Sequence, residues 1–187
     1  MNPSVLDAIA RLAAREHLLI SSIRGAPMEA SPDKIAALVD VVRALDAVGA
    51  AHAVVGGVAV GIRSGVPRAT LDTDVAIRST FARSAVRAAL EGAGFRLTGE
   101  FTHSLNFRHR SDEPIQIVFD PDFDPMVDRA EPLDVAGVRI RVVTTADLIA
   151  MKERAAADPA RRRSKALRDQ ADIALLRGDI PGPDEGW

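Results

Sequence analysis

Two aspartates, Asp72 and Asp74, stand two residues apart in the run Arg68-Ala69-Thr70-Leu71-Asp72-Thr73-Asp74-Val75-Ala76-Ile77. On a strand, side chains two apart project from the same face. Carboxylates placed so repel each other unless a cation lies between them. Hard oxygen ligands at this spacing suit Mg²⁺ shared with substrate phosphates. Just upstream, Val54-Val55-Gly56-Gly57-Val58-Ala59-Val60 reads as a strand ending in Gly-Gly before a helix. Bare backbone N–H groups at such a helix start can hold phosphate oxygens, and glycine allows the close approach. A Gly-Gly turn alone is usually a turn, and an Asp-x-Asp alone is usually a solvated strand edge. In this order, with a short helix between them, the two point to phosphate chemistry.

The elements that must position these residues follow from hydrophobic periodicity. Residues 3–20 read as a helix behind Asn2, with Val5, Ile9, Leu12 and Ala13 at helical spacing. Gly25 to Ser31 reads as a loop. Ser31-Pro32-Asp33 opens a second helix, striped by Ile35, Leu38, Val39, Val42 and Leu45 and ended by Gly49. Residues 52–55 form a strand, 58–62 a short helix broken by Gly65-Val66-Pro67, and 74–77 a second strand. Thr80 is the expected cap of a helix through Leu90. Residues 95–97, 104–108 and 115–119 read as strands, 121–125 as a loop, and 138–143 as a further strand. Thr145 is the expected cap of a helix carrying Leu148, Ile149 and Met151, and a last helix runs from about Arg161 to Leu176. This alternation predicts an α+β (α/β) domain: a mixed sheet, helices mainly on one side, and a helical C-terminal portion. The expected organisation is an N-terminal helix and loop (1–30), one main domain (31–177), and a flexible tail (178–187).

Composition narrows the class further. The chain has 187 residues, 47% hydrophobic and 27% charged, with a formal net charge of -2. Such a chain buries roughly 70% of its unfolded surface and has no reason to be disordered. No apolar run approaches the roughly 20 residues of a membrane span. Nothing at the N-terminus resembles a signal peptide, so a cytoplasmic location without membrane attachment is expected. With no cysteine, thiolate metal sites and cysteine nucleophiles are excluded. His52, His103 and His109 show no metal-ligand spacing. Charge is unevenly spread: acids dominate from Asp112 to Asp134, and bases dominate from Val138 to Arg168. The run Arg161-Arg162-Arg163 with Lys165 and Arg168 reads either as a solvated helix start or as a contact for RNA or an acidic partner. One Trp and no Tyr argue against extensive base stacking.

The Gly56-Gly57 and Asp72-x-Asp74 stretch resembles the active-site motif of the DNA polymerase β-type nucleotidyltransferase superfamily. The form Arg68-x-Thr70-x-Asp72-x-Asp74 is most similar to AbiEii-type and minimal nucleotidyltransferases of bacterial toxin–antitoxin systems. Asp147-Leu148-Ile149-Ala150-Met151-Lys152 and Lys165-Ala166-Leu167-Arg168-Asp169-Gln170-Ala171-Asp172-Ile173 are similar to the helical end of that family. The resemblance spans about Ala37 to Leu176. It implies a nucleotidyltransferase-type sheet and transfer of a nucleoside monophosphate from an NTP to an RNA, protein or small-molecule acceptor. Asp72 and Asp74 would be catalytic and hold Mg²⁺. Gly56, Gly57, Arg68, Thr70 and Lys152 would bind the nucleotide, and tRNA or a cognate toxin or antitoxin protein would be a partner.

At one position the sequence departs from that pattern. The superfamily usually carries a third acid on a later strand, and Ile115-Gln116-Ile117-Val118-Phe119 places Gln116 there. A glutamine cannot serve as a general base or bring charge to a metal. Asp120 lies on the same face but roughly 13 Å along the strand, so it reaches the metal only through a bulge or shifted register. The resemblance therefore implies either nucleotidyl transfer or an impaired, nucleotide-binding member acting as a toxin–antitoxin component. In the register expected here, Gln116 faces the same pocket as Asp72 and Asp74.

Overall fold

The computed structural model of the chain describes residues 7–12, 33–68, 70–135, 137–180 and 182. The expected loop at 25–31, most of the helix expected at 3–20 and much of the tail lie outside these residues. Within 7–12, which is helical, Ile9 is fully buried and fills the space that a Cβ on Gly61 would need.

The main body begins with α1 (Lys34–Ala47). Asp33 caps it, its carboxylate accepting from Ala36 N at 2.9 Å, and Ala37, Leu38, Val41, Val42 and Leu45 are buried along one stripe. There follow β1 (His52–Val55), α2 (Gly56–Ser64), β2 (Thr73–Ile77) and α3 (Arg83–Gly92). Next come β3 (Arg96–Phe101), β4 (Ser104–Arg108) and β5 (Pro114–Val118). A 3₁₀ turn (Pro121–Phe123) leads into α4 (Asp124–Arg129), then β6 (Glu131–Val135) and β7 (Val138–Val142). Two helices, α5 (Thr145–Ala157) and α6 (Arg163–Leu176), pack together as the helical C-terminal portion.

The strands form one seven-stranded mixed sheet in the order β3-β4-β5-β2-β1-β7-β6. β2 pairs antiparallel with β1 and parallel with β5. This register sets Val55, Asp74, Gln116 and Asn106 side by side across four strands. Partners in a ladder share a face, so alternation sorts the sheet into two surfaces. One surface carries Leu105, Phe107, Ile115, Ile117 and Val75 into the core. The other presents Asn106, Gln116 and Asp74, all only half-buried.

Several local expectations are corrected. Thr144, not Thr145, caps α5: its hydroxyl accepts from Asp147 N at 3.1 Å and donates to Asp147 Oδ2 at 2.8 Å, a reciprocal capping arrangement. Thr80 caps nothing, because α3 starts only after Ala82, which offers no side-chain acceptor. The segment expected as a loop holds the 3₁₀ turn and α4 instead. β6 escaped notice because Pro132 and acidic residues break its apolar pattern, which an edge strand tolerates. β3 runs longer than expected and shifts register between Leu97 and Gly99.

The acidic stretch is consumed by structure. Asp112 pairs with Arg108, Asp122 with Arg154, Asp128 with Arg78 and Glu131 with Arg63. Asp124 accepts from Ser79 N and Oγ, both at 2.7 Å. Glu113 is the one acid of this stretch taken fully inside, 1% exposed, where it pairs with the buried Lys34 ammonium beside Thr73. This pair ties the first turn of α1 to β2 and β5. Glu113→Ala should cost about 3–5 kcal/mol, because it strands a buried ammonium. The double change Lys34→Met with Glu113→Leu should recover most of that loss in urea unfolding.

Candidate active site

The site begins where β1 passes into α2. Gly56 sits at φ +67, in the left-handed region that favours glycine. A Cβ there would overlap the Asp74 carboxylate, and one on Gly57 would overlap Arg68 Nη1 and crowd Thr70. The glycines are thus required by close packing of the very side chains the sequence groups with them. Thr70 is buried, and its hydroxyl lies 3.3 Å from the Asp72 carbonyl and 3.4 Å from Asp72 Oδ1. Asp72 is exposed and Asp74 half-buried.

Gly56, Gly57, Arg68, Thr70, Asp72, Asp74 and Gln116 line one cavity of about 730 Å³. Lys152, Arg161, Arg162, Lys165, Arg168 and Asp169, from α5, α6 and the loop between them, line it as well. Every residue singled out above for the site is therefore brought together, with one exception. Asp120 caps the 3₁₀ turn, accepting from Asp122 N at 3.0 Å. The β2–β5 ladder runs in continuous register from Thr73↔Ile115 to Ala76↔Val118, without the bulge that would carry Asp120 back to the pocket. Asp120 is not among the residues that line this cavity.

The cationic wall is built on buried acids. Lys152, 8% exposed, donates to Asp169 Oδ1 at 2.8 Å and lies 2.8 Å from Asp172 Oδ2. Asp169 also accepts from Arg161 Nε at 2.5 Å, and Asp172 from Arg68 Nε at 2.5 Å. Burial raises the Asp169 carboxyl, but its bonds to Lys152 and Arg161 outweigh that and hold it below the usual range. Asp169 and Asp172, three apart on α6, share a helix face; the sequence marked them only by that spacing and by the likeness of their segment to the helical end of the family. The sequence also gave the Arg161 to Arg168 cluster no place in this pocket. Because α6 begins at Arg163, Arg161 and Arg162 stand before its first turn.

On the acidic side, Asp74 is pushed up to about 7, first by burial and then by the Asp72 charge, against the pull of Lys152, Lys34 and Arg68. A cation between the carboxylates would relieve this. Among the described residues no cluster of three or more His, Cys, Asp or Glu forms a metal cage. The donor set is two hard oxygen carriers in a cavity also lined by cations, which suits Mg²⁺ completed by water and phosphate oxygens.

Sheet order and cavity define a nucleotidyltransferase fold. The structure is similar to that of an antigenic nucleotidyltransferase-like protein from Paracoccidioides brasiliensis, with 21% identity over 81% of this chain and 79% of that one and a TM-score of 0.55. It is also similar to the antibiotic-resistance factor ANT(2'')-Ia, at 18% identity, 78% and 85% coverage and a TM-score of 0.56. The lincosamide antibiotic adenylyltransferase LnuA aligns at 12% identity, 75% and 94% coverage and a TM-score of 0.51. At these identities the likeness is one of fold. A comparison with curated proteins finds no match. The family described as "Nucleotidyl transferase AbiEii toxin, Type IV TA system" matches residues 41–185, and the chain belongs to it. No helix among the described residues is long and apolar enough to cross a membrane.

The raised Asp74 carboxyl has a measurable consequence. Between its ordinary value of 3.8 and its folded value of about 7, the folded chain keeps a proton that the unfolded chain has lost. Metal-free stability therefore falls as pH rises through this window. Asp74→Asn should flatten the fall, read by urea unfolding with a chelator from pH ~5 to ~7. Equal slopes in both proteins would assign the titration to another group.

Proposed function

We propose that the chain transfers a nucleoside monophosphate from an NTP to an RNA, protein or small-molecule acceptor, with pyrophosphate leaving. The observation that carries this reading is the opposition, within one cavity, of Asp72 and Asp74 to Lys152, Arg161, Arg162, Lys165 and Arg168. A metal triphosphate needs both sides, a seat for its cation and compensation for the rest of its charge. Mg²⁺, when bound by Asp72 and Asp74, would neutralise phosphate charge and polarise the reacting phosphorus. Gly56, Gly57, Arg68 and Thr70 form the floor on which the nucleotide rests. Lys152 donates one N–H to Asp169 and lies 2.8 Å from Asp172 Oδ2 as an ion pair, and these two acids hold it in place to meet a phosphate oxygen with a remaining donor. Arg162, Lys165 and Arg168 offset the charge that grows on the departing pyrophosphate.

The basic residues of the loop before α6 also support a nucleic-acid acceptor such as tRNA, and the family description supports a cognate protein partner of the toxin–antitoxin kind. A second reading, nucleotide binding without transfer, is favoured by Gln116 standing beside Asp74 where a carboxylate would bring charge and basicity.

NTP with Mg²⁺ at about 100 times Kd should stabilise the chain by about 2.7 kcal/mol, a rise in Tm of roughly 5–10 °C. Asp72→Asn should abolish the rise. Equal rises in both proteins would remove Asp72 from the site. Incubation with labelled NTP, Mg²⁺ and total tRNA or lysate separates the readings: label carried to an acceptor supports transfer, and a thermal shift with no label supports binding alone.

A further inference from the structure

The ladder row that holds Asp74, Gln116 and Asn106 runs on to Gly99 in the edge strand β3. Gly99 stands three interstrand spacings from Asp74, ~14 Å. Over Gly99 lies a phenyl ring: a Cβ there would meet Phe101 Cε2 at 2.8 Å. Phe101 is the ladder partner of Ser104, whose hydroxyl accepts from Gln116 Nε2 at 3.4 Å. The ring therefore belongs to the surface that presents Gln116 and Asp74. Of the six phenylalanines of the chain only Phe101 is exposed, at 57%. Covering an edge glycine accounts for its contact with Gly99, yet leaves more than half of the residue open on the surface that leads to the site.

The charges on this surface suit a polyanion. Arg96 and Arg108 are ladder partners, and like charges placed directly opposite each other destabilise a strand pair. Asp112 compensates Arg108, whereas Arg96 is exposed and makes no ion pair among the described residues. The acid of β3, Glu100, pairs across the ladder with buried Leu105 and so lies on the opposite face. There Arg83 and Arg87 stand 3.9 and 4.0 Å from it. Beside the arginines, Gln116 Nε2 donates to Asn106 Oδ1 at 3.3 Å, which leaves the Gln116 carbonyl and the Asn106 N–H groups for another partner. Cations for phosphates, amides for polar edges and an open ring for a flat one thus follow each other from the paired aspartates to the sheet edge. We propose that Phe101 is a platform on which a nucleobase of a single-stranded RNA acceptor stacks, with Arg96 and Arg108 beside its phosphates and its reacting end at Asp72 and Asp74. The inference rests on the nucleotidyl-transfer reading with a nucleic-acid acceptor. Every base has a face that a phenyl ring can cover, so the platform fixes the path of the strand and not its sequence. Its distance from Asp74 places there a base inside the strand rather than the one at the reacting end.

The test is calorimetric titration of the chain with Mg²⁺ and an α,β-methylene NTP, then with a short single-stranded RNA, repeated for Phe101→Leu and Phe101→Trp. Leucine keeps an apolar cover on Gly99 and removes the ring, and tryptophan restores a ring. Phe101→Leu should weaken RNA binding about fivefold or more, the loss of one stacked base. Phe101→Trp should not weaken it, and neither change should alter affinity for the analogue. In the unaltered chain, an abasic residue placed at each position of the RNA in turn should weaken binding most at one interior position. That loss and the loss from Phe101→Leu should not add, because both remove the same contact. The abasic scan needs no substitution in the protein and so decides the matter even if Phe101→Leu fails to fold. Failure of the analogue to bind would fell the nucleotide reading itself. Analogue binding without RNA binding, equal RNA binding by the unaltered chain and Phe101→Leu, or abasic losses alike at every position would overturn the platform alone.

Discussion

The ammonium of Lys152 lies between Asp169 and Asp172, 2.8 Å from an oxygen of each, and those same two acids hold Arg161 and Arg68. Two carboxylates and three cations thus form one chain of contacts from the loop before α6, through α5, to the segment that leads into β2. Burying charges is costly unless each finds its partner, and removing Asp169 or Asp172 would take from Arg161 or Arg68 the carboxylate it bonds. The arrangement also fixes where the helical hairpin sits over the sheet. The cationic wall faces Asp72 and Asp74 because the network leaves the hairpin no other seat. Position and charge are set by the same contacts.

The acidic side is built by crowding rather than by pairing. Asp74 presses on Gly56 so closely that a methyl group would not fit between them, and Asp72 adds a like charge two residues away. What holds this unfavourable pair together is the sheet. β2 is hydrogen-bonded on both flanks, and behind it Lys34, Glu113 and Thr73 close the base of the strand. A strand so restrained cannot splay to relax the repulsion. The discomfort is a property of the metal-free chain and the reason a cation would be welcome there.

How much of this was readable beforehand depended on the range of the interaction. Gly56-Gly57 and Asp72-x-Asp74 are local patterns whose meaning lies in a handful of neighbouring positions, and period-two alternation was enough to aim Gln116 at Asp74. Strands with clean alternation, such as β4 and β5, were legible for the same reason. β6 was not, because its edge position excuses it from the hydrophobic pattern that marks a buried strand. The fate of Asp120 turned on a cap with Asp122, a contact that competes invisibly with any longer-range role. The cluster from Arg161 to Arg168 could be counted but not located, since nothing in a run of bases says which distant acids will anchor it. Asp169 and Asp172 stood in plain view, but the Lys152 and Arg68 that give them meaning are far away in the chain.

That distance has a consequence in the order of synthesis. Arg68 and Asp172 are 104 residues apart, and the two walls of the cavity come from opposite ends of the described chain. Domains form from their N-terminal side as they leave the ribosome. A nascent chain that has made β1 and β2 therefore displays its two aspartates to solvent with no cations across from them. Contacts of such separation close late, after the loop between them has been ordered. The cationic wall arrives only with α6 and the loop before it, so a growing or truncated chain that lacks residues 161–172 carries the signature motif without the bases that face it.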